Sequence, residues 1–215
     1  MIDFVKIELP QYSRKLLLSN PKLNFKGLHS CSTGEVEEHK IEAIYNGLLF
    51  VSYASERLLV KGSLHKYHNF LSNTKARNQR SLGQIAKGFN GNMFNATQLL
   101  YTIGHLCRLL RIEPKEAILR GFEFGLNIPL EHACEAFLNS LIRHKGRAFS
   151  IINEPGYHLC MAKYQRFTLK CYDKQKQYGL AESIIRFEVK QTRMEGLKHL
   201  PIKTLADLKK RENLD

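Results

Sequence analysis

The chain has 215 residues, 43% of them apolar and 25% charged. A chain of this length and balance buries a full core without disulfide or metal staples and is not a disordered tail. Its 33 Lys and Arg against 20 Asp and Glu leave a net charge of +13, which excludes an acidic enzyme built for cationic substrates and points to a polyanion, nucleic acid ahead of an anionic membrane face.

In chain order, residues 1–9 read as a first strand that Pro10 ends. A β region runs from Val36 to Tyr67, with Asn46-Gly47 as a hairpin turn between Ile41–Tyr45 and Leu48–Tyr53 and a further strand from Leu58 to Tyr67. Residues 72–95, rich in Asn, Ser, Gly and basic residues, read as a long basic loop. Ala96 to Leu110 has helical spacing and Asn95 or Thr97 to cap it; Pro114 opens a short helix through Leu119. Phe122–Ile128 alternates as a strand, and Leu130–Arg143 reads as a helix, followed by breaks at Gly146 and Asn153–Gly156. Strands follow at Tyr157–Lys163, Arg166–Tyr172 and Ser183–Gln191, with a turn or short helix at Gln175–Gly179 and a closing helix, Leu205–Leu214, capped by Thr204. The order predicts a single α+β domain over residues 1–215, its helices packed on one face of an antiparallel sheet.

The charge is concentrated. From Arg57 to Ile112 there is no Asp or Glu, yet nine Lys or Arg occur, among them Lys61, Lys66, Lys75, Arg77, Arg80 and Lys87. This window fits a phosphate-contacting surface better than a merely solvated face. Five scattered cysteines form no C-x-x-C pair, so neither a zinc site nor a disulfide framework is signalled. With no leader, no apolar run near bilayer length and no paired cysteines, the expectation is an intracellular, reduced protein with no membrane partner.

Strand alternation then says which side chains share a face. Glu123, Gly125 and Asn127 oppose Phe122, Phe124, Leu126 and Ile128. Arg166, Thr168, Lys170 and Tyr172 oppose Phe167, Leu169 and Cys171, and Arg186, Glu188 and Lys190 oppose Ile185, Phe187 and Val189. In the Leu58–Tyr67 strand, Lys61, Ser63, His65 and Tyr67 share a phase. In one sheet, these residues give an open face with two carboxylates, a histidine, a tyrosine and several cations. Carboxylate and imidazole donors suit Mg²⁺ or Mn²⁺, which polarises a phosphate. A tyrosine hydroxyl can attack phosphorus to give a covalent phosphotyrosine, and Lys170, Lys174 or Arg186 can stabilise the charge that develops. Plainer readings stand beside these: Glu123 as a solvent-facing strand residue, Glu188 as an ion pair with Arg186 or Lys190, His65 as an exposed loop histidine. Tyr67, Tyr164 and Tyr178 compete with Tyr172.

Gly62-Ser-Leu-His-Lys-Tyr-His-Asn69, Phe122–Ile128, Phe137-Leu-Asn-Ser-Leu141, Leu169-Lys-Cys-Tyr-Asp-Lys174, Ile185-Arg-Phe-Glu-Val-Lys190 and Ile202–Leu208 resemble segments of phage and plasmid rolling-circle replication initiators, closest to the filamentous-phage gene II/X-like replication proteins. The resemblance implies a ferredoxin-like antiparallel sheet, as in HUH nucleases, with the site on its open face. It implies an enzyme, cytoplasmic in a bacterial host cell, that nicks one DNA strand at an origin, single-stranded or hairpin, and rejoins it through a 5′-phosphotyrosine, with host helicase and polymerase as partners. By that carry-over Tyr172 is the nucleophile and Lys174 the phosphate-side cation, while Glu123 and Glu188, with His65 third, hold Mg²⁺ or Mn²⁺. Lys61, Lys66, Lys75, Arg77, Arg80, Lys87, Lys170 and Arg186 are the expected DNA contacts. His65 and His68, with Lys66-Tyr67 between them, depart from the usual pair of histidines flanking one apolar residue. The chain is short for such initiators, and a following region after residue 215 is expected to be missing or never present. The alternatives are a non-catalytic basic DNA-binding protein on the same fold, a truncated initiator or repressor, and a conjugative relaxase.

Overall fold

The computed structural model describes residues 2–29, 36–72, 88–197 and 199–210. Most of the basic loop, with Lys75, Arg77, Arg80 and Lys87, lies outside them. The architecture is α+β, as expected. Ten strands form one sheet in the order β2-β3-β4-β5-β1-β6-β12-β11-β10-β9, and every neighbouring pair in it is antiparallel.

The first half of the sheet comprises β1 (Ile2–Leu9), β2 (Lys26–His29), β3 (Val36–Tyr45), β4 (Leu48–Tyr53) and β5 (Leu58–Ser63). Asn46 and Gly47 both take positive φ, 48° and 80°, the geometry a two-residue hairpin loop requires and the reason Asn-Gly marks one in sequence. The second half comprises β6 (Ile118–Pro129), β9 (Ser150–Glu154), β10 (Tyr157–Lys163), β11 (Phe167–Asp173) and β12 (Ile184–Gln191). A separate two-stranded hairpin pairs β7 (Arg143–His144) with β8 (Arg147–Ala148). The described helices are α1 (Ser13–Leu18), α2 (Leu64–Ser72), α3 (Ala96–Leu110), α4 (Cys134–Ser140) and α5 (Lys174–Tyr178). None of them is long and apolar enough to cross a membrane.

Two cores hold the sheet. Leu99, Ile103, Leu106 and Leu110 of α3 bury against Val5, Ile7, Phe50, Val60 and Phe122, and Cys134 and Leu138 of α4 bury against Cys160, Cys171 and Ile185. The regular register pairs Phe122 with Gln191 and Ile185 with Ile128, so alternation puts Phe122 and Ile185 on one face. Both cores therefore lie on that face, and the opposite one is left for polar groups.

Helix α3 follows the sequence reading to the residue. The Asn95 side chain accepts from Gln98 N–H, and Gln98 returns the bond to Asn95 N–H, a reciprocal cap. Elsewhere the structure corrects the reading. The expected strand through Tyr67 stops at Ser63, because the Ser63 hydroxyl accepts from Lys66 N–H at 3.0 Å and starts α2, so His65 is helical. The helix expected over Leu130–Arg143 is confined to Cys134–Ser140, and the one from Pro114 is a single 3₁₀ turn ending at Glu116. Thr204 caps no long helix. Instead the Asp207 carboxylate accepts from the N–H groups of Lys203 and Thr204, beside a 3₁₀ turn at Asp207–Lys209.

Candidate active site on the open face of the sheet

Three neighbouring strands carry the site. Register pairs Lys170 with Glu188, Tyr172 with Arg186, Lys190 with Glu123 and Glu188 with Gly125. Cross-strand partners stand about 5 Å apart, so alternation alone gathers these side chains on the face opposite the cores.

Tyr172 Oη donates to Glu188 Oε1 at 2.8 Å. Arg186 Nε donates to the same oxygen at 2.7 Å, while its Nη1 reaches Asn127 Oδ1 at 2.8 Å and its Nη2 reaches Asp3 Oδ2 at 2.7 Å. Lys170 Nζ stands between the two glutamates, 3.0 Å from Glu123 Oε2 and 3.4 Å from Glu188 Oε2. Lys190 Nζ closes the set, 2.7 Å from Glu123 Oε1. Three carboxylates (Asp3, Glu123, Glu188) thus face three cations (Lys170, Arg186, Lys190), and Asp3, Tyr172, Arg186 and Glu188 are all buried.

Burial and charge set the ionisation here. Burial pushes the Glu188 carboxyl up, but Arg186 and Lys170 outweigh it and hold it down at about 2. Tyr172 is pushed well above the usual tyrosine value, first by burial and then by the Glu188 charge, so its phenol keeps its proton in the resting site. Burial also works against the Lys170 ammonium, yet Glu188 and Glu123 together raise it.

Lys174 is the first residue of α5 and fully buried. Its Nζ donates to Asn90 Oδ1 at 2.7 Å and lies over the rings of Tyr172 and Tyr178, 5.3 and 4.8 Å from their centroids. Burial, followed by the Arg186 charge, brings it down to about 7. Asn90 joins this lysine to Asp3, donating to Asp3 Oδ2 at 2.8 Å; Ser63 Oγ donates to the other Asp3 oxygen.

Glu123, Glu188, Tyr172, Lys170 and Arg186 thus come together as their alternation implied, with Lys174 beside them. Among the described residues no group of three or more His, Cys, Asp or Glu side chains is placed to hold a metal ion, so His65 does not complete a three-donor set with the glutamates. Its Nε2 donates to Asn92 Oδ1 at 2.9 Å and its ring stacks on Phe94, centroids 4.6 Å apart. Burial lowers it to about 4, so it is a neutral imidazole. Arg186 and Lys170, expected as DNA contacts, are each paired with protein carboxylates. Lys61 lies half-buried on β5, and Lys66, in the first turn of α2, is brought down chiefly by burial. The sequence reading missed Asp3 and Asn90. A lone carboxylate inside the apolar run Ile2-Asp3-Phe4-Val5 was the available signal for Asp3.

Gly125 makes room for the site. A Cβ there would meet the Phe187 carbonyl oxygen at 2.5 Å and both Arg186 Nη2 and Glu188 Cγ at 3.0 Å. Gly125→Ala is therefore expected to lower stability by about 1–3 kcal/mol and to loosen the Arg186–Glu188 pair, seen as a lowered Tm and a disturbed Tyr172 environment in tyrosine fluorescence. Wild-type stability would mean that the strands shift without cost.

No family model matches the chain, and no curated protein matches it. Among solved structures it is similar to a rolling circle replication initiator protein from Geobacillus stearothermophilus, with a TM-score of 0.47 and 14% identity over 89% of this chain and 73% of that one. At that distance the likeness carries no argument for the site, which rests on its own geometry.

Proposed function

We propose that the chain is a rolling-circle replication initiator that cuts and rejoins one DNA strand through a phosphotyrosine at Tyr172. The observation that carries this reading is the Tyr172 hydroxyl bonded to Glu188, with Lys174 and Arg186 buried beside it and Lys170 half-buried. On a +13 chain, a phosphodiester that enters here meets a hydroxyl nucleophile and cations that exchange their carboxylate partners for phosphate oxygens. In the reaction the bond from Tyr172 Oη to phosphorus forms as the phenol passes its proton to Glu188, to which it is bonded, the bond from phosphorus to the 3′ oxygen breaks, and the departing 3′ oxygen takes up one proton, so that the net transfer is of the tyrosine proton to the leaving group. Glu188 aims the hydroxyl. The cations stabilise the charge gathered on the phosphoryl oxygens.

Were a divalent cation bound, Glu123 and Glu188 would hold it through their oxygens in place of the Lys170 ammonium, which now lies 3.0 and 3.4 Å from them. Mg²⁺ is commonly held by one or two carboxylates, with waters and substrate phosphates completing the shell. Bound there, Mg²⁺ or Mn²⁺ supplies Lewis-acid polarisation of the phosphate. His65, turned to Asn92, is not required.

The test is incubation with supercoiled origin-bearing DNA and Mn²⁺ or Mg²⁺. Nicked circles and a covalent protein–DNA adduct, both abolished by chelation, are expected; no nick on any cognate origin overturns the reading. One observation favours the second reading, a non-catalytic DNA-binding protein. The carboxylates are already neutralised by Lys170, Lys190 and Arg186, as in a purely structural ion cluster. Binding without an adduct would select it.

Lys174 gives a pH test. It is a base whose folded pKa, about 7, lies below the ordinary 10.5. The penalty for burying its charge is therefore fully present below about 7, and stability rises with pH from there toward 10.5. As phosphate-side cation it acts in the charged form, so the cleavage rate is expected to fall as pH rises through about 7 while thermal stability climbs. Lys174→Met is expected to raise stability by about 1–4 kcal/mol at pH 6 and to slow cleavage. A rate that rises through pH 7 would make Lys174 a proton acceptor instead.

A further inference from the structure

The β7–β8 hairpin belongs to neither core and takes no part in the site. It projects Arg143, Lys145 and Arg147, all exposed. Around it lies a second basic region: between Glu135 and Asp173 the sequence holds one acid, Glu154, against Arg143, Lys145, Arg147, Lys163, Arg166 and Lys170. No ion pair engages Arg143, Lys145, Arg147, Lys163 or Arg166 among the described residues. With no carboxylate partner, these cations are left to solvent, apart from Arg147 against the Tyr164 ring.

The hairpin is also fixed in place. Its loop is Lys145-Gly146, with φ of 46° and 77°. The first position favours Asn, Asp or Gly, and a lysine in the left-handed region costs about 1–2 kcal/mol, so the tip carries a charge at the expense of its backbone. Tyr164 anchors the base: its hydroxyl donates to the His144 carbonyl, His144 Nδ1 is 2.8 Å from the same hydroxyl, and the Arg147 guanidinium lies over its ring, 5.5 Å from the centroid. Tyr164 in turn stacks on Phe167, centroids 4.5 Å apart. Phe167 shares the core face of β11 with Cys171, opposite Lys170 and Tyr172, so the hairpin is held on the helix-bearing side of the sheet and not over the site.

We propose that the Arg143–Arg147 hairpin grips backbone phosphates of double-stranded DNA. Three exposed cations within five residues match a phosphate backbone, which carries charge at close regular intervals and asks for no base readout. This grip on duplex does not rest on the reading of Tyr172.

The experiment measures affinity for a duplex of about two helical turns against salt concentration, for the full chain and for the triple variant Arg143→Ala, Lys145→Ala, Arg147→Ala. The log–log slope is expected to fall by about 2–3 units, since each phosphate contact contributes about 0.9, with Tm unchanged. A control removing the same charge elsewhere, Lys15→Ala, Lys22→Ala, Lys115→Ala, is expected to keep the wild-type slope. An unchanged slope in the hairpin variant, or an equal fall in the control, overturns the proposal. So does a variant that loses affinity for polyglutamate but not for duplex, which would assign the hairpin to an acidic protein. If the wild type forms no covalent adduct while the hairpin variant still loses its slope, the reading of Tyr172 fails and the hairpin's grip stands.

Discussion

Tyr172→Phe is expected to abolish the covalent protein–DNA adduct and to reduce strand nicking by at least about 10³-fold, because no nucleophile replaces the phenol oxygen. Stability should change by no more than about 1 kcal/mol. The Glu188 oxygen that loses the tyrosine bond keeps its bond from Arg186 at 2.7 Å, so no carboxylate is orphaned. That separation of effects makes the variant informative: a folded protein with wild-type DNA affinity and no adduct identifies the nucleophile. The geometry prefers Tyr172 over its rivals. Its hydroxyl bonds a carboxylate on the open face, whereas Tyr67 pairs with His105, Tyr164 with His144 and Tyr178 with Asn90. If the adduct survives in Tyr172→Phe, peptide mapping should place the DNA on another tyrosine, and the role given to Tyr172 is lost.

Much of the site was legible because it is built on adjacent strands. Once Glu123, Lys170, Tyr172, Arg186 and Glu188 were each put on the polar side of an alternating segment, only the adjacency of β6, β12 and β11 remained to be shown, and the register supplies it. Asp3 escaped for two reasons. Its phase is broken by a register shift between Ile2 and Phe4, and its partner Arg186 is 183 residues away, a pairing no local pattern encodes. Asn90 lies in a stretch without periodicity. His65 was misplaced because the apolar run Leu58-Leu59-Val60 and the shared phase of Lys61, Ser63, His65 and Tyr67 carried the strand past the cap signal of Ser63. The β7–β8 hairpin was read as a break at Gly146, since its Lys-Gly loop lacks the Asn or Asp that announced the loop at Asn46-Gly47. The basic loop that led the charge argument lies outside the described residues, whereas Arg143, Lys145 and Arg147 stand in plain view on the hairpin.

Arg186→Ala is expected to be the most destabilising single substitution in the site, by about 3–5 kcal/mol. The guanidinium is buried and bonds three acceptors on three strands, Asp3 on β1, Asn127 on β6 and Glu188 on β12. Removing it leaves two buried carboxylates facing each other's charge, and the Lys170 ammonium, 3.4 Å from Glu188, compensates only one of them. A lysine at this position cannot serve three acceptors in one plane, so Arg186→Lys should recover part of the loss and not all. The pH dependence carries the signature. In the wild type Glu188 is held at about 2, below the ordinary 4.5, so its contribution is present above about 4.5 and is lost as pH falls toward 2. In Arg186→Ala burial is no longer opposed by the guanidinium, and the Glu188 carboxyl is raised. Protonating it then relieves the folded variant at a pH where the wild type is still fully stabilised. The stability gap between the two proteins, measured by denaturant unfolding, should therefore be widest near neutral pH and narrow as pH is lowered. A gap below about 1 kcal/mol, or one that is constant between pH 7 and 4, would mean that Asp3 and Glu188 are reached by water once the guanidinium is gone, and that the site is not the desolvated patch on which the proposed phosphotyrosine chemistry depends.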